Sequence, residues 1–336
     1  MLVLANLPMF HIEAQSVHST QISATPLTVN PAFTGMFDGG VRASAWYSNQ
    51  WESVTVPFET NGASVDIPLY INKHGDYIAS GMQFMQDRAG DGNLNNSNGL
   101  FSLSYHKFLG LTQYMKRRKG CDLGLGIQGS FGNNIIDPVG LYFGERIIPV
   151  TTLHILRSPV GYFMVNSGLC FTQSINERFN YTFGIASQNI NQPKDKELES
   201  TYREYGLNRS LSSTQQITWQ ARERIEIKPS VFYLSRGSLN AVIAGSELKY
   251  RPKHNPDRAY HTTSFYIGGY YHTGNISSIT SGIEINSFRV GFCYDFKFPN
   301  TGNTTNGSNG YELMIKYVAP SHLFFSRYRV IPSGHF

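Results

Sequence analysis

The sequence predicts an all-β protein, a transmembrane antiparallel β-barrel of about fourteen strands, and three observations support this. Apolar and polar residues alternate with period two in segment after segment. The polar faces carry Gly, Ser, Thr, Asn and Gln rather than Lys and Glu, which suits a narrow lumen better than an open surface in water. Charged residues make up 15% of the 336, against roughly 25% in an ordinary soluble protein.

The residues before the predicted barrel are assigned in two parts. Leu2–Phe10 resembles the apolar core of a secretory signal, but no basic lead-in precedes it. We therefore expect residues 1–15 to be the remnant of a signal peptide, the alternative being a genuine mature strand. Residues 16–40 are expected to form an N-terminal periplasmic or lumenal segment.

Alternation identifies the first seven predicted strands and is clearest in the fifth. Leu123, Leu125 and Ile127 share one face there, whereas Asp122 and Gln128 share the other. A period of two is that of a β-strand. The first seven predicted strands are 41–51, 63–71, 77–86, 101–108, 121–131, 162–173 and 179–185.

The second half of the chain continues the same pattern. The remaining predicted strands are 215–221, 225–234, 239–250, 263–271, 279–285, 288–296 and 311–318. Most candidates approach the roughly 9–11 residues that a tilted strand needs to cross a bilayer, whereas strands of soluble sheets average about 5–6. Residues 41–318 are therefore assigned to the barrel and 319–336 to a C-terminal segment.

Aromatic residues near the predicted strand ends are candidates for the two interfacial girdles of a membrane barrel. The alternative is that they are ordinary core residues. The candidates are Trp46, Trp51, Tyr70, Tyr105, Phe108, Tyr270, Tyr271 and Phe298.

Loop lengths suggest which end of the barrel faces outward. If the first strand runs outward from the periplasm, the odd-numbered connections face out, and they include 87–98, 132–159, 189–208 and 299–310. The even-numbered ones include the short turns at 72–75 and near Asn286. Long outer loops and short inner turns are typical of bacterial outer-membrane barrels.

Composition and motifs exclude several other classes. The sequence has no run of about 20 apolar residues, which a membrane helix would need. The basic run 116–119 is best explained as a solvated turn rather than a nucleic-acid site. Cys121, Cys170 and Cys293 lack the spacing of a disulfide framework or a zinc site.

No catalytic residue, cofactor site or metal site is predicted. The sequence contains no HExxH, no GxSxG and no recognisable carboxylate pair, so an enzyme is not expected. Residues 91–95 match the first half of a calcium loop, but Asn96 and Ser102 replace its Gly and Glu. A Gly/Asn-rich hairpin loop explains that segment better.

Five motifs in order resemble the PorP/SprF family of Bacteroidetes outer-membrane proteins, over roughly residues 20–318. The opening one is Asn-Pro-Ala-Phe-Thr-Gly at 30–35, followed by the segment from Trp46 to Trp51. The later ones lie at 184–193, 228–230, 290–296 and 310–315. The motif positions singled out are Asn30, Pro31, Gly35, Trp46, Trp51, Pro193, Pro229, Ser230, Gly291, Tyr294, Asp295 and Glu312.

The resemblance implies a function as well as a fold. Members are non-enzymatic outer-membrane barrels associated with type IX secretion and gliding motility. They bind the C-terminal domain of a secreted adhesin or work with periplasmic ring lipoproteins of the machinery. A passive outer-membrane porin or nutrient channel is the alternative, and no nucleic-acid partner is implied.

The motif residues also have a structural interpretation that does not depend on the family. Pro31 and Pro229 are expected at or before strand starts, where a missing N–H is tolerated. Gly35 and Gly310 suit turns that need a positive φ, and Trp46 and Trp51 suit an interfacial belt. Separately, Asp295 and Glu312 lie on the polar faces of neighbouring predicted strands, where we expect them to pair with lumen Arg or Lys.

Overall fold

The computed structural model describes residues 20–50, 58–72, 75–89, 94–109, 120–135, 160–176, 178–193, 207–252, 263–273, 275–297 and 310–320. Fourteen strands, β1 to β14 in chain order, form one closed antiparallel barrel. The ring closes where β1 pairs with β14, from Val41 opposite Ala319 to Gln50 opposite Gly310. The predicted all-β barrel of about fourteen strands is confirmed.

Each predicted strand is present, although most are longer than predicted. The strands are β1 (Val41–Gln50), β2 (Phe58–Ile71), β3 (Tyr77–Ala89), β4 (Leu94–Leu109), β5 (Gly120–Ile135), β6 (Val160–Asn176), β7 (Phe179–Gln188), β8 (Ser210–Arg222), β9 (Ile225–Arg236), β10 (Leu239–Tyr250), β11 (Thr263–His272), β12 (Ile276–Ile285), β13 (Phe288–Lys297) and β14 (Gly310–Ala319).

The two ends of the barrel differ in their connections. We call the end at which β1 begins and β14 ends the proximal end, and the opposite one the distal end. The predicted proximal turns are confirmed at Gly75 (φ +95°) and Asn286 (φ +54°). Two distal connections are equally tight, at Gly237 (φ +57°) and Asn275 (φ +63°), so short turns are not confined to one end.

One predicted distal loop is wrong. Residues 87–98 were expected to form a loop, but Asp87 pairs with Asn96 and Arg88 with Asn95, so β3 and β4 stay paired as far as Ala89 and Leu94; residues 90–93 lie outside the described residues. Strand β5 likewise continues to Ile135, into the expected loop 132–159. These extensions carry polar residues on both faces, and this removes the alternation by which strands are recognised.

The two faces of the barrel wall have opposite character. Along β4 the side chains of Phe101, Leu103 and Tyr105 are 50%, 37% and 44% exposed on the outer face. Ser102 and Ser104, between them, are buried on the inner face. Apolar side chains outside and polar ones inside are the arrangement that places hydrocarbon around the barrel.

The described N-terminal residues lie inside this ring. Residues 20–40, here called the lumen segment, contain 3₁₀ turns at Ile22–Ala24 and Pro31–Phe33 and a one-turn helix α1 at Pro26–Val29. The described residues contain no helix that has both the length and the apolar character to cross a membrane. The lumen segment begins near the distal end, where Thr20 contacts Glu312 near the start of β14. It reaches the proximal end at Gly40, whose N–H donates to the Ala319 carbonyl oxygen at 2.7 Å.

Candidate functional site

Asn30 lies in the middle of the lumen segment and is buried against the wall. Its Oδ1 accepts a hydrogen bond from the Ala32 N–H at 2.8 Å and so caps the second 3₁₀ turn. Its Nδ2 donates to the carbonyl oxygens of Leu169 on β6 and Ile185 on β7, at 3.0 and 3.3 Å. One buried amide thus ties the lumen segment to two neighbouring strands of the wall.

Three glycines of the wall make room for this turn. A side chain at Gly168 on β6 would collide with Asn30 Oδ1, and one at Gly184 on β7 would lie 2.6 Å from the Phe33 ring. A side chain at Gly126 on β5 would collide with the backbone of Pro31 and Ala32. We call Gly126, Gly168 and Gly184 the glycine socket, because their missing side chains admit the lumen segment.

The turn that follows Asn30 is bound by hydroxyl groups. Thr34 Oγ1 donates to the Pro31 carbonyl oxygen at 2.7 Å and lies 2.6 Å from Ser102 Oγ on β4. Ser104 Oγ donates to the Thr34 carbonyl oxygen at 2.8 Å. The buried carbonyl oxygens of Pro31 and Thr34 therefore accept from hydroxyl groups of the turn and of the wall, as buried backbone groups require.

A buried ion pair holds the proximal part of the lumen segment. Arg42 on β1 donates through Nε and Nη2 to Asp66 on β2, at 2.8 and 2.6 Å. Arg42 Nη2 also donates to the Phe33 carbonyl oxygen at 3.0 Å, and the Gly35 N–H donates to Asp66 at 2.7 Å. Gly35 has a φ of +72°, as predicted for a turn. Both members of the pair thus bind the lumen segment, Arg42 at Phe33 and Asp66 at Gly35.

Apolar packing fills the space between the lumen segment and the opposite wall. Phe33 is fully buried and packs in one cluster with Cys170 of β6, Phe232 and Leu234 of β9 and Ile243 of β10. Complete burial of a side chain of this size contributes roughly 1.5–3 kcal/mol. The lumen segment therefore contacts strands on both sides of the lumen.

At the distal end, carboxylates hold the first described residues. Glu312 on β14 accepts hydrogen bonds from the backbone N–H groups of Thr20 and Gln21, at 3.1 and 3.4 Å. Asp295 on β13 accepts one from Thr20 Oγ1 at 3.4 Å, and His272 Nε2 lies 3.2 Å from the same hydroxyl. The sequence predicted Arg or Lys partners for the two carboxylates and missed these contacts with the lumen segment.

A network of ion pairs lines the wall from β9 to β13 near the proximal end. Arg289 donates to Glu247 at 2.5 Å and to Glu284 at 2.8 Å, and its guanidinium lies 3.7 Å above the Tyr266 ring. Lys249 also pairs with Glu284. Charges buried in this way are tolerated because each has an opposite charge beside it.

Glu226 on β9 extends the network to the proximal rim. It accepts from Lys228 at 3.1 Å and from Arg251 at 2.6 Å. A polar cavity of about 40 Å³ lies between this wall and the first described residues of the lumen segment. A drug-sized solute needs about 300 Å³ or more, so this cavity has room for only a few water molecules. Its lining includes Thr20, Gln21, Lys228, Ser230, Glu247, Tyr270, Thr280 and Arg289.

One further buried group has the residue types of a catalytic set. His106 Nδ1 lies 2.9 Å from Asp122 Oδ2, and its ring stacks on Tyr77 with centroids 4.3 Å apart. Cys170 lies close by, but its thiol donates to the Ala32 carbonyl oxygen at 3.5 Å, and His106 Nε2 has no hydrogen-bond partner in the described part of the chain. The nucleophile–base hydrogen bond of a catalytic pair is not made here. Within the described residues no group of His, Cys, Asp and Glu could hold a metal ion.

Trp46 does not face the membrane interface as predicted. It is 7% exposed and packs in the lumen against Ala24, Tyr266 and Met314. A side chain at Gly62 on β2 would collide with its ring, so that glycine accommodates the indole. The error arises because the ladder of β1 turns Trp46 inward together with its serine neighbours.

The other girdle candidates divide between the two faces. Phe108 and Tyr270 also face inward, the latter lining the polar cavity, so their assignment to a girdle is wrong. Tyr105 and Tyr271 are 44% and 52% exposed on the outer face. The remaining candidates lie outside the described residues or have side chains outside them, namely Trp51, Tyr70 and Phe298.

Three of the structural interpretations need correction. Pro31 begins a 3₁₀ turn rather than a strand. Pro229 lies within β9, where the β8–β9 pairing passes from Ser230 to Ile227, so its missing N–H costs no ladder bond on that side. Gly310 is the first residue of β14 and lacks the positive φ predicted for it.

The remaining predicted positions do not form a single group. Gly291 faces the lumen, where a side chain would lie 2.5 Å from Gln21 Oε1, and Ser230 lines the polar cavity. Tyr294 is 40% exposed on the outer face. Pro193 follows the end of β7, and its carbonyl oxygen accepts from the Leu207 N–H at 3.1 Å. The structure brings together those motif residues that contact the lumen segment and leaves the others apart.

Sequence reasoning missed the ion pair and the glycine socket. Arg42 and Asp66 are isolated charges on inner faces that otherwise carry mostly small residues such as Ser44 and Ser64, which is a usable signal for a buried pair. Gly126, Gly168 and Gly184 occupy inner-face positions of three consecutive strands. Small residues repeated at one level of a wall indicate that another part of the chain approaches closely there.

Comparison with known proteins gives a family and a fold. The profile described as Type IX secretion system membrane protein PorP/SprF matches residues 12–317. No curated protein matches the sequence at a significant level.

Solved structures resemble the barrel at low sequence identity. The toluene transporter TbuX of Ralstonia pickettii superposes with a TM-score of 0.51 and 10% identity, covering 90% of this chain and 94% of that one. The monoaromatic hydrocarbon channel CymD does so with a TM-score of 0.50 and 9% identity, at the same coverage. At such identities the likeness shows the fold alone.

Proposed function

The chain belongs to the PorP/SprF family of type IX secretion system membrane proteins, and on that premise we propose that it is a non-enzymatic binding and anchoring barrel of the type IX secretion and gliding motility system. Its location is the outer membrane of a Gram-negative, Bacteroidetes-type cell. Its partner is either the C-terminal domain of a secreted adhesin or a periplasmic ring lipoprotein. Lipid surrounds the apolar outer face.

The single observation that carries this proposal is the occupied lumen. The lumen segment runs from Glu312 near the distal end, past the glycine socket, to the Arg42–Asp66 pair near the proximal end. Each stage is held by buried hydrogen bonds or by apolar packing. A wall whose polar groups bind the protein's own chain has few left for a permeating solute, so its partners are expected to bind at the loops and rims.

Catalysis lacks support in the same geometry. The lumen carboxylates Glu226, Glu247 and Glu284 are ion-paired, and Asp66 is bound by Arg42 and Gly35. A general acid or base needs a free position beside the reacting atom. The polar residues of the interior therefore have a structural role in this proposal and not a catalytic one.

The passive channel remains the competing function, because a small polar cavity lies between the first described residues of the lumen segment and the wall of β9 to β13. Planar-bilayer recording distinguishes the two. The purified protein is expected to give no large, steady conductance. A variant with Asn30→Ala and Phe33→Ala, which loosens the lumen segment, is expected to give brief openings. A large, steady conductance of the unaltered protein would contradict the proposal.

A genetic experiment tests the function itself. Deletion of the gene is expected to abolish type IX secretion, or the surface display of an adhesin together with motility, and complementation is expected to restore it. The matched control is complementation with the Gly99→Ala variant, because nothing lies within 4 Å of a side chain built there. Intact secretion, adhesin display and motility in the deletion strain would refute the proposal.

A further inference from the structure

Strand β6 extends beyond its neighbour β7 at the distal end of the barrel. Its pairing with β5 continues to Val160, opposite Asn134. Its pairing with β7 stops at Ser167, opposite Ser187. Among the described residues, 160–166 of β6 are therefore paired with a strand on the β5 side only. An unpaired strand edge presents backbone N–H and C=O groups to any extended chain that reaches it.

The chain that follows β7 covers the first part of this edge. The Ile190 N–H donates to the Val165 carbonyl oxygen at 2.9 Å. The Asn191 side chain accepts from the Val165 N–H at 3.0 Å and donates to the Phe163 carbonyl oxygen at 2.7 Å. Asn189, with a φ of +55°, makes the turn that brings these residues to the edge. The conspicuous Gln-Asn-Ile-Asn-Gln-Pro stretch at 188–193 thus has a structural role.

Asn191 acts here as a substitute for a strand. Its side-chain amide offers one acceptor and one donor, like the peptide group of a paired residue. A residue of an antiparallel strand directs both backbone groups to the same side, and alternate residues share that side. Because Val165 and Phe163 use the β7 side, Gly161 also faces it. No hydrogen bond within the described residues reaches the Phe163 N–H or the edge-facing groups of Gly161.

Asn191 is itself exposed, and Phe163 and Val165 are 55% and 38% exposed. An edge strand of a folded domain is already ordered, so it loses little further conformational entropy when it takes the place of the Asn191 side chain. An incoming strand can replace both of its bonds and add those to Gly161. Within the described residues the edge is therefore only partly covered.

We infer that a partner binds by adding an extended strand to the distal edge of β6 at Gly161, Phe163 and Val165, displacing the Asn191 side chain. This inference rests on the proposed function and identifies the partner segment as an edge strand of the secreted client's C-terminal domain. Strand addition of this kind gains affinity from backbone hydrogen bonds and specificity from alternate side chains. The strand carries apolar residues beside Phe163 and Val165, and small polar residues on the opposite face beside Asn166.

A second copy of this chain fits the edge less well than another protein does. Neighbouring strands of this barrel are all antiparallel. Antiparallel pairing of β6 with the same edge of another copy reverses the direction of the second β6, and with it the second barrel, in the membrane. A client strand has no such restriction, because its domain lies outside the bilayer.

The test uses the full-length protein in detergent and the purified C-terminal domain of a type IX client from the same organism. Gly161→Pro removes the edge-facing N–H, a change that edge strands tolerate. Gly161→Ala is the matched control, since it keeps the N–H and its side chain lies 3.1 Å from the end of the movable Phe131 ring. Asn191→Ala uncovers the edge. Heat-modifiable gel mobility establishes that each barrel is folded.

Gly161→Pro and Asn191→Ala are expected to change the affinity for the client domain in opposite directions. Gly161→Pro weakens binding about 10-fold, the loss of one backbone hydrogen bond and its register, whereas Gly161→Ala binds within about two-fold. Asn191→Ala strengthens binding several-fold. Hydrogen exchange at the Gly161 and Phe163 amides slows at least about 10-fold in the complex of the unaltered protein.

Three results would overturn the inference, and they are distinguishable. Equal binding by the Gly161→Pro, Gly161→Ala and unaltered proteins, with unchanged amide exchange, rejects the edge as the binding site and leaves the proposed function standing. If hydrogen exchange at the edge amides slows only when the protein self-associates, without client, the partner at the edge is a second copy of this chain and not the client. Absence of any complex with the client domain, together with intact secretion in the deletion strain, rejects the proposed function and the inference with it.

Discussion

Arg42 and Asp66 form a two-bond ion pair inside the barrel, with donor–acceptor distances of 2.8 and 2.6 Å and side chains that are each 1% exposed. The pair joins β1 to β2 next to the closure of the ring, and it also binds the lumen segment through Phe33 and Gly35. Its loss therefore affects the wall and the lumen segment together.

We predict that Asp66→Asn lowers the free energy of unfolding by about 3–5 kcal/mol, because it leaves the buried Arg42 guanidinium without a counter-charge. Thermal unfolding of the refolded barrel, followed by heat-modifiable gel mobility, measures the change. The double variant Arg42→Met, Asp66→Leu removes both charges and is expected to recover part of the loss. A single variant as stable as the unaltered protein would contradict the proposed role of the pair.

Asn30 provides a second test, because its two ends have different partners. Asn30→Ala loses the cap on Ala32 and two donated hydrogen bonds, and we expect a loss of about 2 kcal/mol. Asn30→Asp keeps the cap but turns a carboxylate oxygen toward the Leu169 and Ile185 carbonyl oxygens, so it is expected to cost more than alanine. Equilibrium unfolding in denaturant measures both.

Asn240→Ala is the matched control for the asparagine series, since that residue is exposed on β10 and accepts only from the Tyr233 hydroxyl among the contacts described. We expect its effect to lie within about 0.5 kcal/mol. If Asn30→Asp is the least harmful of the three changes, the orientation assigned to the Asn30 amide is wrong.

The wall could be predicted from the sequence because each strand carries its own evidence. Leu123, Leu125 and Ile127 alternate with polar residues whatever the rest of the chain does, and two-period alternation is a local property. The strand extensions, such as 95–98 in β4, lack this signal because both faces are polar. They were therefore predicted as loops.

The lumen segment could not be placed from the sequence because its contacts are not local. Asn30 fits into the space left by the missing side chains of Gly168 and Gly184. Each of these glycines is also compatible with a turn or a bulge when its strand is considered alone. Trp46 illustrates the same limit. Its position within β1 was predicted, but the room for its ring inside the barrel depends on Gly62 in the next strand. Such pairs meet only once the strands have closed into a barrel in the correct register, which no single segment of the sequence shows.

The glycine socket predicts a large difference between glycines that look alike in sequence. Gly168→Ala places a methyl group against Asn30 Oδ1, and overpacking of this kind typically costs about 1–3 kcal/mol. Gly269→Ala, on the outer face of β11 with nothing within 4 Å, is expected to change stability by less than about 0.5 kcal/mol. Limited proteolysis of the lumen segment and thermal unfolding are the measurements. Equal stability of the two variants would show that Asn30 does not occupy the socket.

Trp46 and Trp219 test the assignment of the inner and outer faces. Trp46 is 7% exposed in the lumen, whereas Trp219 is 47% exposed on the outer face of β8. In vesicles whose acyl chains carry bromine, we expect strong fluorescence quenching of a chain that keeps only Trp219, and weak quenching of one that keeps only Trp46, with the other tryptophans replaced by phenylalanine. Contact with lipid is what separates the two, because the barrel wall lies between Trp46 and the acyl chains. Unbrominated vesicles provide the reference intensity. Strong quenching of Trp46 would reverse the face assigned to β1, and with it the packing of Trp46 against Ala24 of the lumen segment.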